Sequence, residues 1–384
     1  MIISEGVCFM KIVIAIDAFK GSLTSIDAGN TIKSAILKVK PDADVIVKPM
    51  ADGGEGTTDA LIDGLNGRKV NITVTGPLGT AVNAYYGILP ETNTAVMEMA
   101  QAAGITLISE NQKNPFIATT YGVGEMILDA CKKGCKNFII GIGGSATNDG
   151  GLGMLKALGY SFLDLNGKDV GEGAKALSHI QTIDDKNVSP LLASCNFRIA
   201  CDVNNPLYGP NGATYIYGPQ KGVTKEQLPI LDNSMKHFAH ISSDFLGVEH
   251  TNTPGAGAAG GMGFAFLSYL NASLIPGIEL IIEAVDLENA IKECDIVITG
   301  EGRLDYQTAM GKAPVGIARL AKKYNKKVIA FAGSVTEDAV NCNQAGIDAF
   351  FPIIRGITSL EDAMISENAK RNLFATVEQV FRIL

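Results

Sequence analysis

Five stretches of the chain share one pattern: a run of apolar, mostly β-branched residues, a loop bearing glycine or acid, then apolar residues at helical spacing. They are KIVIAID (11–17), DVIVKPM (44–50), DIVITG (295–300), KVIAFAG (327–333) and DAFFPII (348–354). Strands that are apolar on both faces and alternate with helices predict a parallel sheet covered on both sides. Two such units at the start and three at the end fit a flavodoxin-like domain with a five-stranded parallel sheet. The first intervening helix has a legible start in Thr24 and Asp27, a capping-box pair, and Ala28, Ile32, Ala35, Ile36 and Val39 recur on one face before Pro41. Pro314 takes a first-turn position ahead of Val315, Ile317, Ala318 and Leu320.

From about residue 66 to about residue 290 the period changes. KVNITV and VNAYYGIL alternate polar with apolar around TGPLGT, and NTAVMEMA follows the turn PETN, which predicts an antiparallel meander. A helix near 121–133, the strand NFIIGIG, a glycine loop and the strand FRIACDV come next. The expected fold is α/β: a discontinuous flavodoxin-like domain, 1–65 and 290–384, with a second mixed α/β domain, 66–289, inserted into it. Insertion predicts an interdomain cleft, a common ligand site.

Composition narrows the function. The 384 residues are 46% hydrophobic, enough for large cores, and the net charge of −8 with no Lys/Arg-rich run speaks against nucleic acid as a partner. No apolar stretch reaches the ~18–20 residues of a membrane span. Seven cysteines without a C-x-x-C pair, and four histidines without zinc-ligand spacing, predict reduced thiols in a cytoplasmic protein. The start, MIISEGVCFM, lacks the basic region of a signal peptide, and Met10 is a candidate natural start with residues 1–9 as an extension ahead of it.

In open parallel sheets ligands bind beyond the carboxyl ends of the strands. There the chain places DAFKGS (Asp17, Lys20, Ser22), ADGGEGT (Asp52, Glu55, Thr57) and TGEGRLDYQTAMGK (Glu301, Arg303, Asp305, Gln307, Lys312), while the inserted region adds GGSATNDGG and CDVNNPLYG (Asp202, Asn204, Asn205). Amides and cations that hold phosphates, oxygen ligands for Mg²⁺ and a carboxylate that takes a hydroxyl proton are the parts of phosphoryl transfer. Turn chemistry accounts for any one such loop. Five on one rim point to a site.

FIIGIGGSATNDGG (138–151) holds five glycines, each with an entropic cost that calls for positive φ or close approach of a ligand. It reads as a phosphate nest, with Asn148 or Asp149 capping a short helix that carries Leu152, Leu155 and Leu158. The alternative is a tight turn satisfied by its own side chains. Asp149 beside a phosphate would be repelled without a cation, so Mg²⁺ is expected there. Familiar nucleotide signatures are missing: around Gly311 and Lys312 the P-loop pattern fails at Tyr306 and Ala313, and no kinase H-R-D or D-F-G occurs. GAGAAG (255–260) matches G-x-G-x-x-G but follows EHTNTP where a strand is required, so helix packing or an anion-facing turn is the better reading. His179, His237, His240 and His250 fall in polar connecting segments and read as surface or capping residues.

Taken together, DAFKGSL, PMADGGEGT, GPLG, GIGGSATNDGG, DVNNPLYGPNGA, GPQKG, GAGAAGGMG and TGEGRLDYQTAMGK resemble the type I bacterial glycerate kinase family, in the family's order from residue 17 to residue 312. The resemblance implies ATP- and Mg²⁺-dependent phosphorylation of D-glycerate, with 2-phosphoglycerate favoured over the 3-phosphate, on the two-domain fold outlined above. On this reading Gly143, Gly144, Ser145, Ala146, Thr147 and Asn148 hold the phosphates of ATP, and Asp149 or Asp202 lies near Mg²⁺. Lys20 or Arg303 meets the carboxylate of glycerate, Asp52, Glu55 and Asp305 its hydroxyls, and Asp17 and Glu301 complete the substrate set. Asp202 is the first choice of general base and Asp305 the second, with Lys20 counted among the catalytic residues. A homodimer is a candidate assembly. Two alternatives stay open: a kinase for another small hydroxy acid or polyol, and a non-catalytic hydroxy-acid-binding protein. Turnover of erythronate or glycerol without D-glycerate separates the first, and glycerate binding without ATP turnover the second.

Overall fold

The computed structural model describes residues 9–384, so the reading of the start as an extension falls, but for its last residue, outside the described residues. Thirteen strands occur among these residues: β1 (Lys11–Ile16), β2 (Asp44–Pro49), β3 (Arg68–Thr75), β4 (Ala81–Leu89), β5 (Thr94–Glu98), β6 (Asn137–Gly141), β7 (Ser161–Leu163), β8 (Thr182–Asp184), β9 (Asn196–Ala200), β10 (Ser273–Ile275), β11 (Ile296–Leu304), β12 (Lys327–Val335) and β13 (Ala349–Pro352). Contacts group the chain into two compact units. One comprises the chain up to Asp52, Asp59–Leu65 and Ile278–Leu384; the other comprises Gly53–Thr58 and Asn66–Gly277. The short loop Gly53–Thr58 thus groups with the second unit while both its flanks belong to the first.

The first unit holds a five-stranded sheet in the order β13-β12-β11-β1-β2, parallel throughout. Counted alone, its strands have the 2-1-3-4-5 order of the flavodoxin-like fold. All of β1 beyond Lys11 is buried, as a strand covered on both faces requires. The helix Ser25–Val39 starts at Thr24, whose side chain accepts from the Asp27 amide at 3.1 Å. It turns Ala28, Ile32, Ala35 and Ile36 inward, and each buried isoleucine contributes roughly 1.5–3 kcal/mol. The helix Ala313–Lys323 has Pro314 in its first turn and buries Val315, Ile317 and Ala318.

β11 runs further than its apolar stretch predicts. Gly300, at φ 152°, passes so close to β12 that a Cβ there would lie 1.9 Å from the Phe331 carbonyl oxygen. The strand therefore continues where a turn is expected, and Glu301 and Arg303 pair in register with Ala332 and Ser334.

The second unit holds a six-stranded mixed sheet in the order β10-β9-β6-β5-β4-β3. β3, β4 and β5 form the antiparallel meander, and β5, β6, β9 and β10 are parallel neighbours. Tyr86, Phe138 and Phe197 lie in its core, the last two with ring centroids 4.7 Å apart. The edge strand β10 and the hairpin β7-β8, of three residues each, are too short to show a period and escape sequence reading. In GAGAAGG the helix Ala258–Leu270 is broken by left-handed residues Ala259, Gly260 and Gly261. Gly260 accepts from the Gly150 amide at 2.9 Å, and a Cβ on it would lie 2.1 Å from the Thr147 carbonyl oxygen. That motif packs backbone on backbone, the helix-packing reading.

Candidate active site

In the first unit a cavity of about 430 Å³ opens beyond the carboxyl end of β1 and along the last residues of β11. Asp17, Lys20, Asp52, Glu301, Arg303 and Asp305 all line it. Asp17 directly follows β1 and is only 5% exposed; its Oδ1 accepts from the Ala18 amide at 2.7 Å. Burial, and then the charge of Asp52, push its carboxyl up to about 7, with Lys20 pulling the other way. Lys20 Nζ stands 3.4 Å from Asp52 Oδ2, and Asp52 and Asp17 hold the ammonium above its ordinary range against the effect of burial. Burial also raises Glu301, which accepts from the Thr308 hydroxyl. Asp305 caps the short helix Tyr306–Ala309, accepting from the Gln307 amide at 2.9 Å, and its other oxygen lies 3.8 Å from Arg303 Nε.

A carboxylate with a pKa near neutrality, in a cavity that also holds cations, is equipped to accept a proton. Sequence reasoning counted Asp17 only as a substrate contact. Its burial and the closeness of Asp52 exist only after folding.

In the second unit a cavity of about 310 Å³ is lined by Gly53, Gly54, Glu55, Glu98, Gly143 and Gly144, among others. Gly143 and Gly144 are exposed, and among the described residues their amides meet no hydrogen-bond acceptor. Exposed amides in succession, with Gly144 at φ 73°, form a concavity suited to an anion. The rest of the loop turns inward. Ser145 is 7% exposed, Ala146 is buried, and Thr147, Asn148 and Asp149 are wholly so. Of the six residues expected to hold phosphates, Ser145, Ala146, Thr147 and Asn148 therefore lie beneath the surface, because the loop doubles back to pack on the broken helix at Gly260.

Asp149 has a different job from the one its neighbours suggest. Its carboxylate accepts from the Thr120 amide (2.9 Å), the Thr120 hydroxyl (2.8 Å), the Gly151 amide (3.1 Å) and the Gly153 amide (3.2 Å). It thereby ties the start of the helix Tyr121–Lys132 to the start of the helix Leu152–Ala157. Burial raises its pKa against the pull of those four bonds. The expected metal contact is thus replaced by a structural cap: its oxygens face four protein donors inside the core.

Asp202, the expected base, is exposed just past β9; its Oδ1 accepts from the Gly277 amide at 2.9 Å, and it lines neither cavity. Glu55 lines the cavity of the second unit. Lys312 was named only as one of the rim residues, and Glu98 and Lys221 received no role from the sequence. Lys312 lines the first cavity. Glu98, 4% exposed, accepts from the Thr58 amide at 2.9 Å; a lone acid in the apolar run AVMEMA was its signal. Lys221, 2% exposed, lies under the glycine loop.

A flavodoxin-like sheet whose strand ends hold acids beside cations, with a glycine nest in a second mixed α/β unit, defines an α/β enzyme built for small charged substrates. The sequence pattern of the "Glycerate kinase family" matches residues 12–384, and the chain belongs to that family. It is accordingly a kinase. A glycerate kinase of Bacillus subtilis (strain 168) is 46% identical over 374 residues, covering 96% of this chain and 98% of that one. The glycerate 2-kinase of Escherichia coli (strain K12) is 46% identical over 373 residues, with the same coverage. Among solved structures, a Salmonella typhimurium LT2 protein given the name glycerate kinase 2 superimposes with a TM-score of 0.91 at 43% identity, covering 98% of both chains. No helix among the described residues is long and apolar enough to cross a membrane.

Proposed function

We propose that the protein transfers the terminal phosphoryl group of ATP to a hydroxyl of D-glycerate, with 2-phosphoglycerate as the product. The observation that carries this reading is the cavity of the first unit, where Asp17, with its pKa at about 7, lies beside Asp52 and Lys20. Lys20, Arg303 and Lys312 supply the positive charge that binds the glycerate carboxylate, Asp52 and Asp305 accept hydrogen bonds from its hydroxyls, and Asp17 takes the proton of the attacking hydroxyl. The exposed amides of Gly143 and Gly144 hold phosphate oxygens. The name of the Escherichia coli relative, glycerate 2-kinase, supports the 2-phosphate.

Among the described residues no group of three or more His, Cys, Asp or Glu side chains is disposed to hold a metal ion. Mg²⁺ needs only one or two carboxylates when phosphates and waters complete its shell, and the hard oxygens of Glu55 and Glu98 in the second unit suit it. Glu55 and Glu98 line the same cavity as the nest, where they would repel a bare phosphate. Mg²⁺ held by these carboxylates would neutralise charge on the phosphoryl oxygens. The six free thiols among the described residues suit a cytoplasmic enzyme.

Phosphorus NMR of D-glycerate incubated with ATP, Mg²⁺ and the protein tests activity and product at once. A 2-phosphoglycerate resonance is the expected result. Unconsumed ATP with D-glycerate, combined with turnover of erythronate or glycerol, overturns the substrate; a 3-phosphoglycerate resonance overturns the regiochemistry.

A further inference from the structure

Among the described residues Lys221 is a deeply buried cation that no role so far explains. It ends the 3₁₀ turn Pro219–Lys221, and Gly222, at φ 99°, turns the chain away behind it. Its Nζ donates to Ser145 Oγ at 2.8 Å and to the Thr147 carbonyl at 2.7 Å. Among the described residues no carboxylate lies within ion-pair distance of it. Burial alone pushes its pKa down to about 7, with the charge of Asp149 opposing the fall.

Burying a lysine amine is costly unless its donors are well used. A leucine or methionine would fill the same space without that cost. What the amine adds is directed side-chain bonding to a loop whose nearby ties are backbone bonds, from the Ile105 amide to the Gly144 carbonyl (2.8 Å) and from the Ala146 amide to the Ala103 carbonyl (2.9 Å). The preceding helix, Ala213–Tyr217, grips the loop at another point, where Asn148 Nδ2 donates to Thr214 Oγ1 at 2.9 Å. Thr214 and Lys221 thus hold the inward half of the loop at Asn148, Thr147 and Ser145. The outward half, Gly143 and Gly144, is left with its amides facing the cavity. Glycine has no side chain to hold such a conformation, so the geometry of the nest depends on the Ile105 amide bound to the Gly144 carbonyl and on what grips the residues that follow.

We infer that Lys221 is a positioning residue for phosphoryl-donor binding: through Ser145 and the Thr147 carbonyl it holds the Gly143–Gly144 amides in the orientation that receives the phosphates of ATP. This rests on the reading that those two amides bind the phosphates. Lys221 itself touches no substrate, and its effect falls on the donor and leaves glycerate binding alone.

Steady-state kinetics on K221M, S145A and S145T, with calorimetric titration of Mg²⁺·ATP into each variant and into G144V, tests the inference. Losing the Ser145 contact leaves a buried lysine donor without its acceptor, for which an affinity change of about tenfold is expected. The expected result is a KM for ATP raised about tenfold in S145A and further in K221M, an unchanged KM for D-glycerate, and near-normal values in S145T, which keeps the hydroxyl. If K221M fails to fold, the contrast between S145A and S145T still decides. A KM for glycerate that rises in step with that for ATP, or a fall in kcat at unchanged KM, overturns the role of Lys221. In G144V, whose side chain would strain a residue at φ 73° with Ala100 Cβ only 3.4 Å from the new Cβ, ATP binding should be lost. Binding that survives in G144V overturns the phosphate reading of the loop itself. Loss in G144V with normal binding in S145A and K221M overturns only the inference drawn from Lys221.

Discussion

In sequence, the acids that line the cavity of the first unit resemble Asp149 in the other unit, since each is an aspartate or glutamate in a glycine-rich loop after a buried strand. Their surroundings are opposite. Asp149 has four protein donors on its two oxygens and joins two helix starts. Asp17 has one backbone donor, a neighbouring acid in Asp52, and an open cavity in front of it. A carboxylate surrounded by donors ties separate elements together and has no capacity left for a substrate. One that is buried, and then crowded by a like charge, destabilises the fold when ionised and keeps that capacity.

Substitutions can break this contrast, and the largest expected effect is at Asp149. D149A leaves four buried donors without an acceptor and should lower the unfolding free energy by roughly 3–5 kcal/mol, read by denaturant titration. A loss below about 1 kcal/mol, the ordinary worth of one hydrogen bond, would mean that the carboxylate is not the anchor described. At Asp17 the outcome should be reversed. D17N should cut kcat by about 10²-fold or more while making the protein more stable above neutrality. Because the folded-state pKa of Asp17, about 7, exceeds its ordinary value of 3.8, its contribution to stability is full below the latter and is lost as pH rises through the former. The variant does not ionise, so its Tm should match the parent near pH 4 and exceed it at about pH 8, one unit above that folded-state value. Equal Tm values at the higher pH would remove the crowding argument.

Lys221 sharpens the comparison from the basic side. Its pKa is depressed, so between about pH 7 and its ordinary 10.5 the unfolded chain holds a proton that the folded one has shed. Stability therefore rises with pH across that window. Thermal scans of K221M should lack this rise, and parallel curves for the two proteins would contradict it. The smallest effect is expected at an ordinary cap. T24A should cost about 1 kcal/mol through loss of the bond to the Asp27 amide, with kcat unchanged.

Much of the architecture was legible because it follows from local pattern. The five β-branched runs became the five parallel strands, the meander appeared where period two did, and Thr24 and Pro314 start their helices as read. The pattern was least informative where elements were short, at β7, β8 and β10, and where a backbone contact extended a strand, at Gly300. In the site, Asp17, Lys20, Asp52, Glu301, Arg303 and Asp305 were named from their places after strands, and one cavity collects them all. Asp149, Thr147 and Asn148 were misjudged because a loop that folds under itself has the same composition as one that faces solvent.

The sequence by itself determined the strand and helix order, the acids and cations at the strand ends, and the family, since periodicity and ordered motifs are properties of the chain alone. Only the tertiary structure decided which carboxylate is free to take a proton, which is a cap, and that a lysine from GPQKG lies beneath the glycine loop. The reason is physical: desolvation, like-charge crowding and the supply of hydrogen-bond donors depend on neighbours from distant parts of the chain, and folding alone brings these together.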